Sequence, residues 1–536
     1  MPMVLQWLLL GALFAGVAAD APPAAAPVLD ADYEVACMLL GSVAFVMSLF
    51  YLLNHRDKEI KQYSWNVIST SICIFTGVHI GTAWNGMLSY LILGAAPTPF
   101  KTLLVYCSTS FGWYVALQLV LMWVSGAIGP KPSNVEKMVL NMKCWAVLIG
   151  ITLGGSNLGL WGFIQQQVPK TLLCTALVVP LAWVIIMGLY LIGDHIRETW
   201  SKSDGEKDVY EEYWDKFAEI TENGAACMAI AHLIVQVIRF SITGSLPLAG
   251  GQVAPGQHPT AHQAMCLLAS AVGFAVLMVM ISLFMSKRWG RTKMWMHMVS
   301  GNCISFCILY AMTWLIMARI GAEGVMGTML LALTVTFVSI GQIFVLDYLA
   351  DMDCTGEAAD KEIQAFVQPL SLLIGFAWKG AFAASLTQVA GKQQVLPVPV
   401  MTLIVAVLIG VVVVPAWRWF ILPVVMEGEL AHARKQDSHL LDIMAGDTVV
   451  FVVVVVVVVV IAVVVVVVVV CCCGVVVVVV VVCCWSVLGS SITATHEFFF
   501  QYKAHIHVSM HTHIIDDRPQ QQQQLQLQQQ QPQRHT

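Results

Sequence analysis

Eleven long apolar segments dominate the chain and restrict its fold more than any other feature. About 20 apolar residues cross a bilayer as an α-helix. The runs are continuous and do not alternate at a period of two, which argues against a membrane β-barrel. The sequence therefore predicts an all-α integral membrane protein with 11 or 12 transmembrane helices. The predicted spans are 35–53, 66–92, 102–126, 139–161, 172–193, 222–241, 263–285, 296–318, 325–348, 363–387 and 398–425, with a twelfth candidate from 441.

Composition agrees with lipid as the solvent of most of this chain. Only 11% of the 536 residues are charged and 58% are hydrophobic. Soluble proteins carry about 25% charged residues, so this chain has too little polar surface to cover a water-facing globule. The net charge of −5 and the lack of a basic stripe argue against nucleic acid as a partner.

Basic residues divide unevenly between alternate loops. One set of loops holds sixteen Lys and Arg residues, and the other set holds three. An excess of Lys and Arg marks the cytosolic loops of membrane proteins. We therefore predict a plasma-membrane or endomembrane protein with a lumenal or extracellular N-terminus. The predicted cytosolic loops are 54–62, 128–140, 194–217, 286–295, 349–361 and 427–440.

Both ends of the chain differ from its middle. The first apolar run ends in small residues, which favours a cleaved signal peptide, with an uncleaved first helix as the alternative. A tract of valine and cysteine and then a polar, glutamine-rich end follow the spans. We divide the chain into a signal peptide 1–19, a lumenal or extracellular linker 20–34, a first six-helix half 35–246, an outer loop 247–262, a second half 263–448, a low-complexity Val/Cys tract 449–488 that would supply a last span, and a disordered His/Gln-rich tail 489–536.

The two halves share short patterns at a nearly constant offset. The segment Trp65–Trp84 matches Trp295–Trp314 in length and in its terminal tryptophans. Gly155 and Gly380 follow similar apolar tetrapeptides in the same register. An even number of spans separates the matched segments, so the sequence predicts a parallel repeat, as in some secondary transporters.

A finer pattern predicts tandem hairpins. Each basic loop carries a polar, helix-forming stretch that runs directly into an even-numbered span. In Glu211–Phe240, an acidic stretch leads without a break into an apolar helix. We expect Glu222 and Asn223 at the inner mouth of that helix, where water and the helix dipole would stabilise a carboxylate.

The stretch that begins at Glu222 and Asn223 continues as Gly224, Ala225 and Ala226. It resembles the (Asp/Glu/His)-Asn-x-Ala-Ala motif that opens the return helix in YjfL-type bacterial inner-membrane proteins. The resemblance covers about one hairpin, 172–246, and implies the tandem-hairpin fold of that family. It implies no chemistry, because the family has no firmly assigned activity.

Three polar residues share one stripe of the sixth span. His232, Gln236 and Arg239 stand at helical spacings of four and three. Ionisable groups inside a membrane are costly, so each is a site hypothesis. The stripe is predicted to line a path or contact a solute. The alternative is that Arg239 extends to the outer interface and that His232 bonds to a neighbouring helix.

Other ionisable residues lie in other spans. Lys379 lies near the middle of its span and needs a partner or an aqueous cavity, so we expect either an ion pair with Asp347, with Arg418 at plausible depth, or a place on the path. His79 lies on a helix rich in polar residues and is a path candidate, with a packing hydrogen bond as the alternative.

Small and aromatic residues suggest structural roles. Gly150, Gly154, Gly155 and Gly159 are spaced for close helix packing. Tryptophans such as Trp417 are predicted interface anchors. None of the fifteen cysteines forms a C-x-x-C pair, and we find no catalytic motif. We therefore expect no enzyme activity, no cofactor and no metal.

These features favour a transporter or channel for a small solute or ion. The alternative is a membrane scaffold or assembly subunit, followed by a membrane redox or enzyme subunit. A carrier is expected to bring its charged residues to one water-accessible cavity. A scaffold is expected to scatter them, each satisfied by a local partner.

The predicted orientation is testable by glycosylation. An Asn-x-Ser/Thr acceptor introduced into 241–262 is expected to be glycosylated in a eukaryotic host, because that loop would face the lumen. The same acceptor in 128–140 is expected to stay unmodified. Glycosylation of the second variant on a gel-shift assay would contradict the orientation.

Overall fold

The structure is a computed structural model that describes residues 31–93, 98–202, 205, 207–254, 256–284, 290–320, 324–350, 357–392 and 396–428. Every long regular element in these ranges is a helix. The predicted signal peptide, most of the linker, the Val/Cys tract, the twelfth span and the tail lie outside the described residues.

In the described residues eleven helices follow one another, and every connection has nine residues or fewer except 244–260 between α6 and α7. They are α1 (Ala31–Leu53), α2 (Lys58–Leu93), α3 (Pro99–Ser125), α4 (Val135–Gln167), α5 (Leu172–Ser201), α6 (Val209–Thr243), α7 (Ala261–Phe284), α8 (Gly290–Ile320), α9 (Gly324–Ala350), α10 (Glu357–Lys392) and α11 (Val398–Ala416), which continues into a π-helical turn at Trp417–Ile421.

Ten of these helices, α2 to α11, are long and apolar enough to cross a membrane. The prediction of an all-α multi-pass membrane protein is confirmed. In α1 the apolar part, Leu39–Leu53, is shorter, so its role as a span stays a prediction. Short connections make successive helices antiparallel. We call the end that carries the Lys/Arg-rich loops the basic end, and the other the opposite end.

Local sequence signals set the helix ends. The side chains of Thr98, Asn134 and Thr171 accept hydrogen bonds from backbone N–H groups of the first turns of α3, α4 and α5. Asp208 and Glu211 form a reciprocal capping box at the start of α6. These caps satisfy N–H groups that lack a partner within the helix.

The even-numbered helices form a closed ring. Helix α2 packs on α4, α4 on α6, α6 on α8, α8 on α10, and α10 returns to α2. The odd-numbered helices α1, α3, α5, α7 and α9 pack outside this ring, and α11 packs on α2. Each ring helix has 31 to 36 residues and so extends past a hydrocarbon core of about 30 Å.

Small residues let the ring helices approach one another near their midpoints, and we call this level the waist. A Cβ added to Gly375 of α10 would lie 2.8 Å from the Ile74 Cβ of α2, and one added to Gly77 would lie 3.1 Å from the carbonyl oxygen of Leu148. The remaining junctions are formed by Gly150 and Gly154 against α6, by Cys303 of α8, whose Sγ is 3.7 Å from the Ala231 oxygen, and by Gly301 against Pro369.

The four glycines of α4 that were predicted to pack helices together have two different surroundings. A Cβ at Gly150 would meet Thr221 at 2.4 Å, one at Gly154 would meet Met228 at 2.9 Å, and one at Gly159 would meet the Tyr106 ring at 3.3 Å. These three glycines fit the predicted packing role. Gly155 faces open space.

Trp417 was predicted to be an interface anchor, and its observed position differs from that prediction. Its side chain is buried, and its Nε1 donates to the Ser69 hydroxyl at 2.9 Å. Cys73, Cys144 and Leu422 pack around it. The π-helical turn at Trp417–Ile421 thus joins the last described helix to α2 and α4.

Two substitutions in α4 test the waist. Gly150→Leu is expected to lower the thermal unfolding temperature in detergent, because overpacking against Thr221 costs about 1–3 kcal/mol. Gly155→Leu is expected to leave it within a few degrees of the wild type. Equal destabilisation by both variants would contradict the close approach of α4 and α6.

Candidate functional site

A cavity of about 380 Å³ lies inside the ring, between the waist and the opposite end. All five ring helices contribute to its wall, and so do α3, α9 and the loop between α6 and α7. Gly250 and Gln252 of that loop line the cavity and are exposed, so the cavity reaches the surface. We call this space the central cavity. Its polar lining residues include Thr82, Asn85, Tyr106, Thr109, Thr152, Ser156, Gln252, Tyr310, Thr313 and Thr328.

Two of the predicted path residues line this cavity. Arg239 of α6 and Lys379 of α10 both line it, and these two helices are not neighbours in the ring. Among the described residues that form the wall, none is Asp or Glu. The charged part of the wall is therefore entirely cationic.

Arg239 turns inward and not toward the outer interface. It is only 1% exposed, and its Nη1 donates to the Gly251 carbonyl oxygen at 2.7 Å. Its guanidinium carbon lies 4.0 Å from the Tyr310 ring centroid and 5.3 Å from that of Trp314. Stacking on aromatic rings stabilises a cation that has left water. The alternative that Arg239 extends to the outer interface does not match this position.

The other two residues of the stripe fix a loop instead of lining the cavity. The His232 Nε2 is 3.2 Å from the Ala249 carbonyl oxygen, and its Nδ1 is 3.3 Å from the Tyr310 hydroxyl. The Gln236 amide nitrogen donates to the Leu248 carbonyl oxygen at 2.9 Å. The structure thus places His232 and Gln236 behind the wall. The contact of His232 with Tyr310 of α8 matches the bond to a neighbouring helix that was its alternative.

The segment 246–253, which we call the mouth loop, closes part of the cavity. Leu246, Pro247 and Gly251 are buried. Gly251 has a φ of 86°, and a Cβ there would lie 2.0 Å from the Tyr310 hydroxyl, so only glycine fits. The pattern of apolar residues and paired glycines was the available signal, and our sequence reasoning missed it.

His79 lies beside the cavity without lining it. It is buried, and its ring packs edge-on against Phe75 and Phe382 at centroid distances of 5.0 Å. Its neighbour Val78 lines the cavity. The ring packs against its neighbours, but its Nε2 has no hydrogen-bond partner among the described residues, so the packing hydrogen bond given as its alternative stays a prediction.

The predicted ion pair of Lys379 does not fit the structure. Asp347 lies three residues before the end of α9, and Lys379 lies 22 residues into α10. At 1.5 Å per residue, the two levels differ by about 28 Å along the hairpin. Arg418 donates from Nε to the Asn141 side-chain oxygen at 2.8 Å. Lys379 therefore belongs to the cavity and not to this pair.

A second buried cluster begins at the waist and extends toward the basic end. Arg197 of α5 and Glu222 of α6 form a bidentate pair at 2.7 and 3.1 Å, and each side chain is 3% exposed. Arg197 also donates to Asp215 at 3.0 Å and to Asp194 at 3.2 Å. Gln118 of α3 donates to Glu222 at 2.7 Å.

This cluster corrects the prediction for Glu222. Helix α6 begins at Val209, so Glu222 lies more than three turns inside it and is only 2% exposed. Its carboxylate is stabilised by Arg197 and not by water or the helix dipole. Sequence reasoning missed this because it counted Arg197 among the loop residues.

No family model, no curated protein and no solved structure matches this chain. The resemblance to the YjfL-type family stays a prediction. The structure gives two of its motif residues physical roles: Glu222 pairs with Arg197, and Ala225 packs against Gly154.

Breaking the buried pair is expected to be costly. Glu222→Ala leaves Arg197 without its main partner, and removing one member of a buried pair costs about 3–5 kcal/mol. Glu198→Ala is the control, because Glu198 pairs with Lys202 on the surface, where such pairs contribute about 0–1 kcal/mol. Thermal unfolding in detergent measures both. A larger loss in the control would contradict the assignment.

Proposed function

We propose that this protein moves a small solute or ion across its membrane through the central cavity. The observation that carries the proposal is the convergence of Arg239 and Lys379, from two non-adjacent ring helices, on one cavity. Charged groups inside a membrane are costly, and they occur mainly where they face a pathway, a cavity or a partner.

The distribution of charge favours this proposal over a scaffold. A scaffold is expected to satisfy each buried charge locally, as Arg197 is satisfied by Glu222 and Asp215. Lys379 differs from this pattern, whereas Arg239 is held by the Gly251 carbonyl oxygen and by two aromatic rings. No hydrogen bond or ion pair joins Lys379 to another side chain in the described part of the protein.

The position of the waist suggests how access is controlled. The cavity reaches the surface at the opposite end, while the small-residue contacts of the waist close the ring toward the basic end. Movement of a solute requires these contacts to separate while the mouth loop closes. This is the alternating exposure of one site that secondary transporters use.

A flux assay tests the proposal. Purified protein in liposomes is expected to release at least one member of a panel of labelled neutral, cationic and anionic solutes faster than protein-free vesicles. Gly155→Trp is expected to return that rate to background, because Gly155 lines the cavity and faces open space.

Gly112→Trp is the matched control. Gly112 lies on an exposed face of α3, with nothing within 4 Å of an added Cβ. This variant is expected to retain the wild-type rate. Failure of every solute to cross faster than background, with protein that is folded and inserted, would refute the proposed function.

A further inference from the structure

We propose that the central cavity binds a small organic anion, specifically a carboxylate on an apolar or hydroxylated body. As a statement about the transported solute, this rests on the proposed function. As a statement about binding, it depends only on the chemistry of the wall.

The first support is the charge of the wall. Arg239 and Lys379 contribute two positive charges, and no Asp or Glu balances them among the described lining residues. Two like charges in a low-dielectric space are costly unless a counter-charge enters. A cationic solute would add a third like charge. An anion neutralises the wall.

The second support is the set of unused donors. The Arg239 Nε is buried and has no acceptor in the described part of the chain, whereas its Nη1 is held by Gly251. Lys379 has no hydrogen-bond acceptor among the described residues. Guanidinium and ammonium groups form their strongest hydrogen bonds with carboxylates and phosphates. Lys379 therefore offers free N–H donors to an oxyanion-bearing ligand, and Arg239 adds a positive charge to the same wall.

The third support is the rest of the wall, which suits an organic body better than a bare inorganic ion. Phe306, Leu309, Leu331 and Phe376 form apolar surface, and hydroxyl groups such as that of Ser156 lie among them. A volume of about 380 Å³ is within the range of small-molecule sites. Contact with this apolar surface would not stabilise a bound, hydrated chloride ion.

Binding in detergent tests this inference without requiring transport. Isothermal titration calorimetry would compare benzoate with benzyl alcohol, its uncharged counterpart of similar shape. Benzoate is expected to bind at least about tenfold more tightly, since the alcohol lacks the charge-assisted hydrogen bonds. Chloride and phosphate are added as inorganic competitors and are expected to displace benzoate only weakly.

Substitutions then locate the site. Lys379→Met and Arg239→Gln are each expected to weaken benzoate binding by about tenfold or more. Lys101→Met is the control, because Lys101 is an exposed lysine of α3 toward the same end. Lys379 anchors no described hydrogen bond, so its variant is expected to keep the wild-type unfolding temperature even if Arg239→Gln loosens the mouth loop.

The outcomes separate the two proposals. Benzoate binding with no flux of any solute would refute transport and leave the anion site standing. Flux of a neutral or cationic solute without benzoate binding would refute the anion site and leave transport standing. Equal binding of benzoate and benzyl alcohol, equal or tighter binding of chloride, or an equal loss in Lys101→Met would overturn the inference.

Discussion

The close approach of five helices at the waist is the constraint on which the rest of this structure depends. Lipid offers no hydrophobic force to join helices, so their association relies on packing and on interhelical hydrogen bonds. Each junction of the ring has a small residue or a backbone contact, from Gly77 against α4 to Gly301 against Pro369. Toward the opposite end the lining side chains leave a space between the helices. The central cavity results from this difference between the waist and the opposite end.

The described helices contain two kinds of buried charge, one paired within a cluster and one without a carboxylate partner. The Arg197–Glu222 cluster is fully paired and links α3, α5 and α6 from the waist toward the basic end. Arg239 and Lys379 lie beyond the waist, and they carry charge without a carboxylate partner among the described lining residues. The first arrangement stabilises helix packing. The second leaves a cationic wall without a carboxylate counter-charge among those residues, and the proposed anion site rests on this.

The helices were predictable because a span needs a certain length of apolar chain, and nearly every predicted span lies within an observed helix. The hairpin pattern was predictable for the same reason, since polar stretches precede each even-numbered span. The packing of α10 on α2, which closes the ring, was not predictable, because an apolar helix face does not specify its partner. The internal repeat stays a prediction, although its matched glycines, Gly155 and Gly380, both line the central cavity.

The sequence identified candidate residues because ionisable groups are energetically costly inside a membrane, but it did not identify their roles. Intramembrane ionisable groups are rare, so Arg239, His232 and Lys379 were visible in the sequence. Whether such a group lines a cavity, fixes a loop or pairs with a neighbour depends on contacts across helices. His232 bonds to the mouth loop through Ala249, a contact that spacing within α6 does not reveal. Glu222 and Arg197 depend in the same way on contacts between helices.

The most direct test of the ring is a cross-link that closes it. The Ser71 hydroxyl of α2 lies 3.4 Å from the Ser371 carbonyl oxygen of α10, although 300 positions separate them in sequence. A protease site inserted at Gly256 would cut the chain between α6 and α7. In the double variant Ser71→Cys and Ser371→Cys, oxidation is expected to keep the two fragments joined on a non-reducing gel. Separation of the fragments, as in each single variant or in Ser71→Cys with Thr387→Cys, would contradict the closed ring.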